Sequence, residues 1–125
     1  MGKIARGILG AAILYGLAGL AAGLLMAITE DHSQMPTHAH IMVIGWVSFF
    51  LFSLFYDRFE DRVSGILARL HFWSAQLSLL PLIVGLWLLY SGREEFTPLA
   101  AGSAIGYAVS FVIFAAVALP IVRAK

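Results

Sequence analysis

Two histidines lie two residues apart in the stretch THAHIMVIGWVSFF, residues 37 to 50. Imidazole is the side chain that most often binds a metal ion in proteins. On a regular helix His38 and His40 point about 200° apart, because each residue turns the helix by about 100°. The two rings are therefore poor partners for one small ion, and each is expected to serve a different site or neighbour.

A third histidine, His71, lies in a later apolar stretch. The same helix face carries mostly small or polar side chains, and these predict that it faces protein rather than lipid. The residues of this face are Ser74, Ala75, Ser78, Leu82 and Gly85, all small or polar except Leu82. In an antiparallel hairpin that turns near residue 61, His71 is expected opposite position 50 and His40 opposite position 81. His71 and His40 are then about 15 Å apart in depth and should not share one iron.

The face below His38 is expected to run through Met42, Gly45 and Phe49. Gly45 removes a side chain nearly beneath His38, so we expect room there for a flat ring system. A different ligand set is offered by the connection EDHSQMPTHAH, where a copper ion could be held by soft sulfur and nitrogen ligands. Its candidates are His32, Met35, His38 and His40.

Composition indicates a membrane protein. The 125 residues are 61% hydrophobic, which is far above the ~45–50% of soluble domains. The sequence contains no cysteine, which excludes disulfides, zinc–thiolate sites, iron–sulfur clusters and covalent c-type haem attachment. A net charge of +1 gives no sign of nucleic-acid binding. Catalytic triads, phosphate-binding loops and paired acids are also absent from the sequence, so no catalytic residue is predicted.

Four apolar stretches, at about 7–28, 38–56, 66–90 and 98–121, are each near the ~20 residues that cross a bilayer as helix. Their short connections predict a single all-α domain, an integral membrane four-helix up-down bundle. Seven of the eight basic residues fall on one side, so both termini are expected in the cytoplasm and His38 and His40 at the outer face. The expected location is a bacterial plasma membrane.

The runs THAHIMVIGWVSFFLFSLFY and ARLHFWSAQLSLLPLIVGL resemble short membrane proteins related to subunit I of the haem-copper oxidases and nitric oxide reductases. In that superfamily a His-x-His pair gives one ring to each of two haems on opposite faces of a helix. The matching positions are His38-Ala39-His40, Gly45-Trp46 and His71-Phe72-Trp73. The chain has no room for the many further helices and the copper-site histidines of the large enzymes, so oxygen reduction is not expected.

This resemblance implies haem b bound through His38, His40 or His71, with Met42, Gly45 and Trp46 beside it. The missing axial partners would come from a second copy in a homo-oligomer. The expected function is then a membrane cytochrome, an oxidoreductase component that transfers electrons to or from a partner protein or quinol, or that binds a diatomic gas. The alternatives are copper handling at the outer face and a structural subunit without a cofactor. The last would use helix-packing faces of small residues, namely Gly19, Gly23, Gly102 and Gly106.

Overall fold

Four long helices make up a computed structural model of the chain, which describes residues 1–124. They are α1 (Lys3–Thr29), α2 (Met35–Arg62), α3 (Gly65–Tyr90) and α4 (Glu94–Arg123), and the described part contains no strand. All four are long and apolar enough to cross a membrane. The predicted all-helical class and the number of helices are confirmed, and each observed helix begins and ends a few residues outside or at its predicted span.

Local signals end each helix where the chain must turn. Glu30 adopts a left-handed conformation, with φ 55°, and ends α1. The Ser64 hydroxyl accepts the backbone N–H of Leu67 and begins α3. Gly92 has a φ of 89°, which favours glycine, and it allows the turn before α4. These connections are too short for anything but antiparallel neighbours.

The bundle is built from two closely packed hairpins, α1 with α2 and α3 with α4. Glycines on α1 leave space that side chains of α2 fill. The pairs are Gly16 with Trp46, Gly19 with Met42, and Gly23 with His38. In the second hairpin Gly85 lies against Ala100, and Gly106 lies against Ser78. Except for Gly102, where an added Cβ would meet no atom within 4 Å, the predicted small-residue faces are used for packing within the chain.

The middle of α2 is wound as a π-helix from Ile41 to Val47. Its wider turn, in which the Ser48 N–H bonds to the carbonyl of Val43, changes which residues share a face. The buried positions recur every four residues, at Thr37, Ile41, Gly45 and Phe49. The uniform 100° step assumed from the sequence is therefore wrong in this segment, and Met42 lies beside the buried line rather than on it.

The outer surface of the bundle is strongly apolar. Large aliphatic side chains such as Leu14, Ile28 and Val122 are about 70% exposed or more. The buried core holds the aromatic residues of α2, together with small residues of α1 and leucines of α3. A surface of this kind is consistent with an integral membrane protein.

Candidate functional site

His40 has one ring nitrogen fixed by its own helix. Its Nδ1 lies 2.7 Å from the carbonyl oxygen of Pro36. A carbonyl can only accept a hydrogen bond, so the neutral ring carries its proton on Nδ1 and has a free lone pair on Nε2. This is the arrangement that prepares a histidine to bind a metal through Nε2.

The ring of His40 lies at a groove of about 550 Å³ between α2 and the α3–α4 hairpin. The lining is almost entirely apolar. It includes three alanines of α4, whose small side chains leave space in the groove. The lining residues are His40, Ile44, Leu82, Ala104, Tyr107, Ala108, Phe111, Val112 and Ala115. A volume of this size lies within the ~300–1,000 Å³ typical of small-molecule and cofactor sites.

His38 faces the other side of α2. Its Nδ1 lies 2.9 Å from the carbonyl oxygen of Gly19, and its ring packs against Gly23 of α1. The neutral ring therefore has the same tautomer as His40. His38 thus contacts α1, whereas His40 lies at the groove that is also lined by α3 and α4, and the two histidines have different surroundings as their spacing predicts.

The space expected beneath His38 is filled by the protein itself. A Cβ added at Gly45 would lie 2.9 Å from the Cβ of Tyr15, so α1 packs closely against α2 at Gly45. The expectation that Gly45 leaves room for a flat ring is wrong, because that face of α2 is its packing face against α1. Met42 packs on Gly19 of α1, and Trp46 packs on Gly16 of α1. Both side chains border a smaller apolar groove of about 250 Å³.

His71 is enclosed by aromatic rings and is only 1% exposed. The hydroxyl of Tyr56 lies 3.0 Å from Nδ1 of His71. The centroid of the His71 ring is 4.6 Å from that of Phe52 and 5.1 Å from that of Phe114. Its Nε2 is buried and has no hydrogen-bond partner among the described residues. We call His71, Tyr56, Phe52 and Phe114 the aromatic box.

The depth of His71 differs from the expected one. It lies opposite Tyr56 rather than position 50, because the α2–α3 turn falls at residues 63 and 64 instead of near 61. Sixteen residues separate Tyr56 from His40 along α2, which corresponds to a distance on the order of 20 Å. The rings of His71 and His40 are thus further apart in depth than predicted. Within one chain they cannot share one iron.

The four candidate copper ligands do not come together. His32 is exposed, with Nδ1 3.2 Å from the carbonyl of Glu30, and Met35 is exposed at the start of α2. Hydrogen bonds from Ser33 lower the pKa of the neighbouring Asp31 carboxyl. Within residues 1–124, no group of three or more histidines, aspartates or glutamates is placed to hold a metal ion.

Several buried polar side chains were not singled out from the sequence. Tyr107 of α4 donates to the carbonyl of Ile44 at 3.1 Å, and Tyr15 donates to the Gln76 side chain across α1 and α3. Gln34 bonds Trp87 and Ser91 and ties α2 to the end of α3. For the two tyrosines, the signal that could have found them was a polar group inside an apolar helix, which must find a partner in protein.

No protein-family model, curated protein or solved structure matches this chain.

Proposed function

We propose that this protein is a haem b-binding membrane cytochrome in which His40 is an axial ligand through Nε2. The observation that carries the proposal is the combination of a fixed Nδ1, 2.7 Å from Pro36, with a groove of about 550 Å³ at the same ring. The groove walls are aliphatic and aromatic, which suits a large flat macrocycle. Tyr107 and Phe111 offer ring surfaces on the α4 side.

When bound, haem b supplies one-electron transfer and the capacity to bind a diatomic gas. The chain contributes the axial imidazole and an apolar environment that sets the reduction potential. His40 is the histidine that lines this groove and would hold the haem iron, and a further ligand would come from a residue of a second copy or from a gas. We favour a homo-oligomer that exchanges electrons with a partner protein or quinol.

The proposed setting is a bacterial plasma membrane with both termini in the cytoplasm. Arg6, Arg58 and Arg62 gather at one end of the bundle, where the amino group of Met1 lies 3.6 Å from Asp57. Arg93 is in the connection at the opposite end, and Lys125 lies outside the described residues. The positive-inside rule then puts His38 and His40 near the outer face.

The experiment is a haem titration of the full chain in detergent, after expression with added haem precursor. We expect a Soret band that shifts on reduction with dithionite. His40→Ala should remove the band, while His32→Ala, which changes an exposed histidine of the nearby connection, should leave it unchanged. A wild-type protein without the band, or a band of full intensity in His40→Ala, would contradict the proposal.

A further inference from the structure

Tyr107 connects the two walls of the groove. It is 7% exposed, its side chain lines the groove from α4, and its hydroxyl donates to the carbonyl of Ile44 on α2. Ile44 follows His40 by one helical turn and lines the same groove. The hydroxyl of Tyr107 is therefore hydrogen-bonded to the backbone one helical turn away from the proposed ligand.

The carbonyl that Tyr107 holds belongs to the π-helical segment. π-Helices are rare; they are found mostly as single-turn segments inside α-helices, and these are frequent at functional sites. The preceding carbonyl, that of Val43, accepts the hydroxyl of Ser48 at 2.9 Å. Two consecutive carbonyls of the segment thus receive side-chain hydroxyls, which favours the π register over a return to ordinary α-helical bonding.

The register of this segment decides where His40 points. His40 immediately precedes Ile41, where the π segment begins, and Phe49 lies just after its end at Val47. If the segment returned to α-helical bonding, every residue on its amino side would rotate relative to Phe49 and the rest of the core. His40 would then change its position in the groove lining.

We propose that Tyr107 is the positioning residue of the His40 site: its hydrogen bond to Ile44 holds the π register and the spacing of the two groove walls. This inference rests on the proposed function, because it concerns how the haem ligand is presented. Tyr107 itself need not touch the iron.

The test compares Tyr107→Phe with Tyr15→Phe. Each variant removes one interhelical tyrosine hydroxyl bond, but Tyr15 bonds Gln76 and is outside the groove lining. We expect the haem dissociation constant of Tyr107→Phe to rise about threefold to twentyfold, the range that corresponds to measured side-chain hydrogen bonds between membrane helices. The reduction potential and the low-temperature absorption spectrum of the haem bound to this variant should also change. Tyr15→Phe should lower thermal stability while leaving affinity, potential and spectrum unchanged.

Equal effects of the two variants on affinity, potential and spectrum would overturn the inference while leaving the proposed function intact. If the wild type bound no haem, the proposed function would fail, and the register can still be measured in the haem-free protein. There, amide hydrogen exchange at residues 45 to 49 should be about tenfold faster in Tyr107→Phe than in Tyr15→Phe. Identical exchange in the two variants would also overturn the role of Tyr107.

Discussion

His40 and His71 are two histidines in apolar helices whose Nδ1 atoms are both hydrogen-bonded, yet their surroundings are opposite. His40 bonds a main-chain carbonyl and lies at an open groove of about 550 Å³. His71 bonds the hydroxyl of Tyr56 and is closed in by Phe52 and Phe114. From the sequence, both are candidate ligands, and His71 lies one to two turns inside its apolar stretch.

To hold a cofactor, a histidine needs space beside it as well as a free lone pair, and of these two only His40 lies at a groove. The carbonyl of Pro36 fixes the proton of neutral His40 on Nδ1, whereas a hydroxyl can either donate or accept and leaves the tautomer of His71 open. The aromatic box also excludes any group as large as a haem. The groove is therefore the site of the proposed haem, and the box is part of the packed core.

The largest effect on stability is expected from opening the aromatic box. Phe114→Ala removes a ring that packs on Phe52 and His71, and the free energy of unfolding should fall by about 3 kcal/mol. Because Phe114 does not line the groove, haem affinity at His40 should not change. Phe50→Ala, at a more exposed ring of the same bundle, is the control and should lose less stability in detergent unfolding. A parallel loss of haem affinity in Phe114→Ala would show that the two regions are not independent.

Adding one methyl group at Gly45 tests whether α1 closes the face of α2 on which Gly45 lies. Gly45→Ala would bring a Cβ to 2.9 Å from Tyr15, and it should lower the free energy of unfolding by about 1–3 kcal/mol. Gly10→Ala is the matched control, because a Cβ there meets nothing within 4 Å, and it should stabilise α1 by about 0.5–1 kcal/mol. Chemical or thermal unfolding of both variants provides the measurement. If Gly45→Ala is as stable as Gly10→Ala, α1 does not close this face.

Filling the groove should weaken haem binding without unfolding the protein. Ala108→Phe places a ring among the lining residues, and we expect the haem dissociation constant to rise about tenfold, or about 1.4 kcal/mol. Ala101→Phe adds the same ring at an exposed position of α4 outside the lining. Titration of both variants followed at the Soret band gives the comparison. Unchanged affinity in Ala108→Phe would remove the groove as the haem site.

The smallest effect is expected from the hydrogen bond inside the box. A double-mutant cycle with Tyr56→Phe and His71→Leu should give a coupling energy of about 0.6 kcal/mol, the average for side-chain hydrogen bonds in a membrane bundle. Unfolding of the wild type, the two single variants and the double variant measures it. Haem affinity should be the same in all four proteins. A loss of the Soret band in His71→Leu would assign a ligand role to the box after all.

The sequence predicted the number of helices and the separation of His38 from His40, because hydropathy and spacing are properties of the chain alone. It also predicted that the face of His71 is turned toward protein, and His71, Ala75, Leu82 and Gly85 are all buried. It did not predict the π segment, since the choice between i+4 and i+5 bonding in α2 depends on the contacts of Tyr107 and Ser48. The sequence placed His71 opposite position 50, whereas it lies opposite Tyr56, six residues further along α2. The reason is that packing sets the position of a short turn.

By itself, the sequence determined the class of the fold: four apolar stretches with short connections form four helices that are long and apolar enough to cross a membrane. It also determined which side chains could do chemistry, namely the imidazoles. Only the tertiary structure decided which of them has room. Tyr15 fills the space at Gly45 and three aromatic residues close around His71, whereas alanines of α4 leave the groove beside His40 open. The physical reason is that space between helices is made jointly by residues far apart in the chain, and no local pattern records it.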